Sequence, residues 1–371
     1  MFPATRLIYA DSEHDPDMLY AAGMFVPDAF VFLEHRGKRT ILLNDLEVDR
    51  GRKQAKVDEV LAVSDEIKSL KLKGSSDVGT WLPAFLKRKK IASVEVPQNF
   101  PLGLARKLEA GGIHLDSIEG LFWSARETKG AAEIRHLKQA LQITAAGIAR
   151  GVEVLSAASE GVRKQLFWGG SVLTSERLRA EIDSAVLRAG GQPANTIVAG
   201  GAQACDPHER GSGPLRGGEL IILDVFPRDL RSGYYGDMTR TVVRGRATDA
   251  QRHLWETVRA GQRHVLKSMK PGGSGKSLHE EVREYFQVQG FPTEQHNGRW
   301  RGFFHGTGHG LGLELHESPR FGATVFKVGQ VLTVEPGIYW PGVGGARIED
   351  VVVVTAKGIK LLSDAPVVLE V

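Results

Sequence analysis

Leu220-Ile221-Ile222-Leu223-Asp224-Val225-Phe226 is an apolar strand that carries one carboxylate near its end. A second acid, Asp237, follows 13 residues later, ahead of Met238-Thr239-Arg240-Thr241-Val242-Val243, so the two apolar runs read as a hairpin with acids at one end. The pattern recurs downstream. Val331-Leu332-Thr333-Val334 runs into Glu335, and Glu349 stands 14 residues on, beside Asp350-Val351-Val352-Val353-Val354. A carboxylate in such a run is costly to bury unless it is paired or binds a metal. One such acid could reach solvent or a nearby arginine, and Arg240 and Arg347 are close in sequence. Four acids in two matched hairpins make that bland reading poor.

Helix signals precede each hairpin. Ile134, Leu137, Leu141, Ala145 and Ile148 form one apolar stripe, and Leu178, Ile182 and Val186 form another within Ser175 to Arg188, with Gly190-Gly191 closing it. Before the second hairpin, helices are expected over about Asp249 to Met269 and Leu278 to Gln289. The order helix pair, then hairpin, thus occurs twice, which predicts an internally duplicated α+β domain with the hairpins meeting at its centre. Upstream, Phe30 to Leu33 and Thr40 to Leu43 around Gly37 form a hairpin, Lys56 to Val63 enters a strand, and Ile91 to Val96 is a strand stopped by Pro97. Helices are expected at Trp81 to Lys89 and Leu102 to Leu108. The polar stretch Ser124 to Gly130 marks a junction, giving a smaller α/β domain over 1–125 and a larger one over 126–371.

Between the hairpins lies His305-Gly306-Thr307-Gly308-His309-Gly310-Leu311-Gly312-Leu313-Glu314-Leu315-His316-Glu317. Taken alone it could be a glycine-rich loop that happens to hold histidines. A zinc-binding helix is excluded, because Gly306 stands where H-E-x-x-H needs glutamate and the glycines oppose a helix. Gly272-Gly273-Ser274-Gly275-Lys276-Ser277 imitates a phosphate loop, but Lys270 occupies a required glycine position and a helix, not a strand, leads into it; it reads as a helix–helix turn capped by Ser277.

The remaining composition is that of an ordinary globular chain. It has 371 residues, 42% hydrophobic and 25% charged, with net charge +4. The densest basic run, Lys87 to Lys90, sits at a helix end where cations oppose the dipole favourably, so nucleic acid is not expected as a partner. Cys205 is the single cysteine, which excludes a disulfide framework and a thiolate metal site. No apolar run approaches the roughly 20 residues of a membrane span. With acidic residues following the N-terminus and no secretory pattern, a cytoplasmic location is expected.

Four carboxylates plus histidine suit a pair of divalent cations such as Mn²⁺, Co²⁺ or Zn²⁺. The motifs Asp224, Asp237-Met238-Thr239-Arg240-Thr241, Gly308-His309-Gly310-Leu311-Gly312, His316-Glu317-Ser318-Pro319, Thr333-Val334-Glu335-Pro336-Gly337 and Arg347-Ile348-Glu349-Asp350 resemble, in order, those of the pita-bread-fold metallopeptidases. That family includes methionine aminopeptidase, aminopeptidase P, prolidase and the metal-free creatinase. The separate N-terminal domain resembles the prolidase, aminopeptidase P and creatinase branch. The resemblance implies Asp224, Asp237, His309, Glu335 and Glu349 as ligands of two metal ions per chain, with Glu335 also shuttling a proton. It implies His316 on the scissile carbonyl, His305 and His208 against the substrate, and Thr239 and Arg347 as supports of the ligand aspartates. The implied substrate is a peptide with proline second, cut before that proline, and the implied assembly is a homodimer. Prolidase action on dipeptides, aminopeptidase P action on longer peptides, a creatinase-like hydrolase and a binding module lacking activity remain alternatives. No ligand position is substituted, which weighs against the last two. The chain departs from the family after Asp224, where Asp-x-Gly-Ala is usual and the second aspartate falls 11 residues on. Here Val225-Phe226-Pro227-Arg228 follows, and two extra residues preserve strand parity while placing Pro227 to Ser232 at the expected pocket rim.

Overall fold

The computed structural model describes residues 4–72 and 77–371. The chain divides into two compact units, Met1–Ser124 and Ala125–Val371.

The first unit is a mixed six-stranded sheet with strands in the spatial order Glu59–Ala62, Lys38–Leu43, Phe30–His35, Arg6–Ala10, Ser93–Pro97, His114–Ile118. The expected hairpin forms, and its two-residue turn is Arg36-Gly37, both at positive φ (53° and 79°). Such a turn matches the twist of the strands it joins. Alternation divides the apolar residues between two faces. Leu7, Val31, Leu33 and Leu42 pack with Trp81, Phe85 and Leu108 on one side, and Ile8, Phe32, Ile41 and Leu43 pack with Met18, Phe122 and Trp123 on the other.

The second unit opens with the 27-residue helix Ala131–Ala157, longer than its apolar stripe suggested, and the helix Ser175–Arg188. Gly147 and Gly151 let them approach: a Cβ at either would lie 2.9–3.0 Å from Val186 or Ile182. Both helices cover one face of the antiparallel sheet Ile197–Gly200, Leu220–Val225, Met238–Val243. Along the middle strand Ile221, Leu223 and Val225 enter this helical core, so Ile222 and Asp224 point to the opposite face.

The second half repeats the arrangement with an insertion. Helices Asp249–Ser268 and Gly275–Val288 pack on Leu332, Val334, Val352 and Val354. The cap of the second helix is Ser274, whose hydroxyl accepts from Ser277 N at 3.2 Å, so the expected cap lies three residues too late. Val331–Val334 pairs antiparallel with Asp350–Thr355 inside a five-stranded sheet that also contains His309–Gly310 and Glu317–Arg320. Between the paired strands a further hairpin, Gly337–Trp340 with Gly344–Arg347, is inserted, so this is not the simple hairpin the sequence suggested.

Candidate active site

The parity that sends Val334 into the core sends Thr333 and Glu335 the other way, and Asp237 and Glu349 flank the paired strands next to Met238 and Asp350. A cavity of about 820 Å³ opens there. Asp224, Asp237, His309, Glu335, Glu349, Arg347, His208, His305 and His316 all line it. Thr239, fully buried, lies behind it; its hydroxyl sits 3.0 Å from Asp224 Oδ1 and 2.8 Å from Glu349 Oε2, with Arg347 Nε donating to it at 3.2 Å.

Asp237, His309 and Glu349 each present a ligand atom within 4.8 Å of the others. His309 Nε2 is 3.7 Å from Asp237 Oδ2 and 3.3 Å from Glu335 Oε1. Its Nδ1 faces the carbonyl oxygen of Gly310 at 3.1 Å, which requires a proton on Nδ1 and leaves the Nε2 lone pair aimed at the carboxylates. Glycine makes this approach possible: a Cβ at Gly308 would lie 2.0 Å from Thr333 O. The backbone N of His309 donates to Thr333 Oγ1 at 3.0 Å, and Glu335 N donates to Thr307 O at 2.9 Å.

Electrostatically the acids want a cation. Burial and then the neighbouring carboxylates raise Asp237 and Glu349 well above the usual carboxyl range. Burial pushes Glu335 up to about 7. Burial also lowers His309 and His316 to about 4, so both are neutral, as ligands or hydrogen-bond partners need to be. A set of hard oxygen donors plus one neutral imidazole, buried and lacking enough fixed positive charge, fits divalent ions. Arg347, buried against these acids, stays protonated despite burial because Tyr339, Asp224 and Glu335 surround it. It donates to Asp224 Oδ2 at 2.6 Å and to Tyr339 OH at 2.8 Å.

Several placements differ from sequence reasoning. Arg240 does not serve the cavity acids; it pairs with Asp350 at 2.9 Å. Arg299 pairs with Asp206, and Arg301 with Glu294 while stacking on Trp340 at 4.3 Å, whereas Arg320 lines the cavity. The additional residues after Asp224 do not form the rim. Arg228–Asp229 pairs with Gly191–Gln192, and Phe226 is the residue of that turn lining the cavity. Tyr339 was missed: fully buried on the inserted hairpin, it joins His305 Nε2 (2.9 Å) to Arg347. The usable signal was its spacing of two residues from Gly337 and four from Glu335.

Residues 135–356 match the model of metallopeptidase family M24, and the chain belongs to that family. Among curated relatives, the chain is similar to an Xaa-Pro dipeptidase of Pyrococcus horikoshii, 30% identical over 74% of this chain and 73% of the relative. An Xaa-Pro dipeptidase of Pyrococcus furiosus is 34% identical over 57% of this chain; the match spans 61% of that relative's length. The fold is that of solved relatives: an Xaa-Pro dipeptidase from Bacillus anthracis superposes with TM-score 0.82 at 24% identity, covering 99% of this chain and 95% of the other. An X-Pro aminopeptidase from Thermotoga maritima does so with the same score and identity, covering 99% and 97%. Among the described residues, no helix is long and apolar enough to cross a membrane.

Proposed function

We propose that the protein is a dinuclear metal-dependent Xaa-Pro dipeptidase, with 126–371 as its catalytic domain and 1–125 as a creatinase- or prolidase-like domain. Asp224, Asp237, His309, Glu335 and Glu349 would hold two divalent ions, Mn²⁺, Co²⁺ or Zn²⁺. Ions bound there supply Lewis acidity and lower the pKa of water. Glu335, held by Thr333 Oγ1 at 3.1 Å, takes a proton from the attacking water and returns it to the leaving proline nitrogen. His316, its ring 4.3 Å from that of His309, donates a hydrogen bond to the scissile carbonyl. His305 and His208 line the substrate's path, and Thr239 and Arg347 orient Glu349 and Asp224 as ligands.

The observation that carries the dipeptide reading is Arg320. Its cavity-facing guanidinium is free to pair with the terminal carboxylate of a two-residue substrate, and it acts on both His309 and His316 electrostatically. Action on longer peptides is the alternative, favoured by the likeness to an Xaa-Pro aminopeptidase of Haemophilus influenzae, 29% identical over 92% of this chain. A homodimer in the cytoplasm completes the proposal. Rates for an Xaa-Pro dipeptide and an Xaa-Pro-Xaa tripeptide, measured side by side with each metal, test it. The dipeptide is expected to be cut faster. A faster tripeptide rejects the dipeptidase, and hydrolysis of neither rejects the enzyme.

A further inference from the structure

Resting on that reading, we propose that Phe226 sets the size of the first substrate residue that the enzyme accepts. Parity places it: Phe226 is two residues beyond Asp224 on the same strand direction, so it extends the face that carries the metal-facing carboxylate. The family's usual sequence has glycine at this point, and a side chain is present here instead. The ring lines the cavity and, with Phe304, packs against the buried patch of Ile197, Cys205 and Tyr339.

The backbone that carries Phe226 is clamped on both sides. Before it, Asp224 and Val225 are paired with Thr239 and Met238. After it, Gly236 N donates to Pro227 O at 2.9 Å, and Arg228–Asp229 is paired with Gly191–Gln192. Asp229 fastens the remainder of the turn, accepting from Ser232 Oγ at 2.6 Å and Arg231 N at 3.1 Å. The turn cannot swing away to admit a larger group, so the phenyl ring is a fixed wall.

The substrate's orientation determines which residue meets that wall. Arg320 stands opposite His309 in the second-half sheet, with Phe321 beside it. Phe226 and Ile197 belong to the first-half sheet, Ile197 being paired with Asp224. The acids lie between the two sheets' contributions. With the carboxylate on Arg320, the proline ring rests on the second-half side, and the side chain of the preceding residue projects toward Ile197, Phe226 and Phe304. Small side chains fit against the phenyl ring; a bulky one meets it.

The test compares metal-loaded wild type, Phe226→Ala and Phe226→Leu on Ala-Pro, Leu-Pro and Phe-Pro. In Phe226→Ala the ratio of kcat/KM for Phe-Pro to that for Ala-Pro should rise roughly 10-fold or more, a size expected for a few methylene volumes in an apolar pocket. Phe226→Leu, which keeps an apolar side chain against the Tyr339 patch, should lie between, and it decides alone if the alanine variant does not fold. Metal content should be unchanged. A ratio unchanged in a folded, metal-loaded variant overturns the role of Phe226 while leaving the dipeptidase standing. Failure of the wild type to cut any of the three overturns the dipeptidase and this inference together.

Discussion

Glu317→Gln should destabilise the second unit strongly, although Glu317 is not among the residues that line the cavity. Its carboxylate is 1% exposed and lies between two cations as deeply buried: Arg126 Nη2 donates to Oε2 at 2.8 Å, and Lys129 Nζ donates to Oε1. Glu314 N adds a longer contact at 3.3 Å, and Gly312 is required nearby, since a Cβ there would lie 2.3 Å from Glu317 Oε1. Arg126 has a further partner in Glu314, at 2.7 Å, whereas among the described residues Lys129 pairs with Glu317 alone. The amide would therefore leave an ammonium buried without a counter-charge, a change that costs about 3–5 kcal/mol. At about 2–4 °C per kcal/mol for a unit of this size, the thermal midpoint should fall by about 6–20 °C. Calorimetry of metal-loaded wild type and variant reads it. Adding Lys129→Met removes the stranded charge, so the double variant should recover at least half of the loss rather than add to it. A single-variant shift below about 2 °C, or strict additivity, would refute the reasoning. The pair also braces the loop beside His316, so turnover should fall with little change in metal content.

Thr239→Val removes the hydroxyl shared by Asp224, Glu349 and Arg347, and metal affinity should weaken about 10–100-fold in a competition titration with a fluorescent chelator. Gly308→Ala places a methyl 2.0 Å from Thr333 O; the strand carrying His309 must shift, and the variant should bind less than the full complement of metal by elemental analysis. For the metal-free chain, raised folded-state values mean that the buried acids are accommodated best when protonated. Glu335 thus contributes stability below its ordinary 4.5 that is lost as pH rises through about 7, and Asp237 and Glu349 act in the same direction. Denaturant midpoints in chelator should fall over that window, and saturating metal should flatten the dependence; a midpoint rising with pH in chelator would contradict it.

The acids that line the cavity were legible because each lies in or beside an apolar strand of period two, and a one-residue slip would have turned it into the core. The helices of the second unit were legible from stripes long enough to show their period. The short ones were not: Pro16–Ala22, Val48–Gln54 and Val63–Ser69 span two turns each, and Arg6–Ala10, an inner strand of its sheet, is too brief to stand out. Contacts closed over long sequence separation left no local signal either. Lys129 meets Glu317 across 188 residues, and nothing near Lys129 announces a buried cation. Tyr339 is similar, its role being set by the inserted hairpin that brings it beside Arg347. The reverse error arose at Pro227 to Ser232, where counting residues suggested a rim and strand pairing with Gly191–Gln192 took the turn elsewhere.

The most direct measurement is a titration of chelator-treated protein with Mn²⁺ while the hydrolysis of an Xaa-Pro dipeptide is followed. Activity should rise from zero and level off at about two ions per chain, and Glu335→Gln should take up the same metal without turnover. Hydrolysis that persists in chelator, or none at any metal loading, would contradict a dinuclear Xaa-Pro dipeptidase.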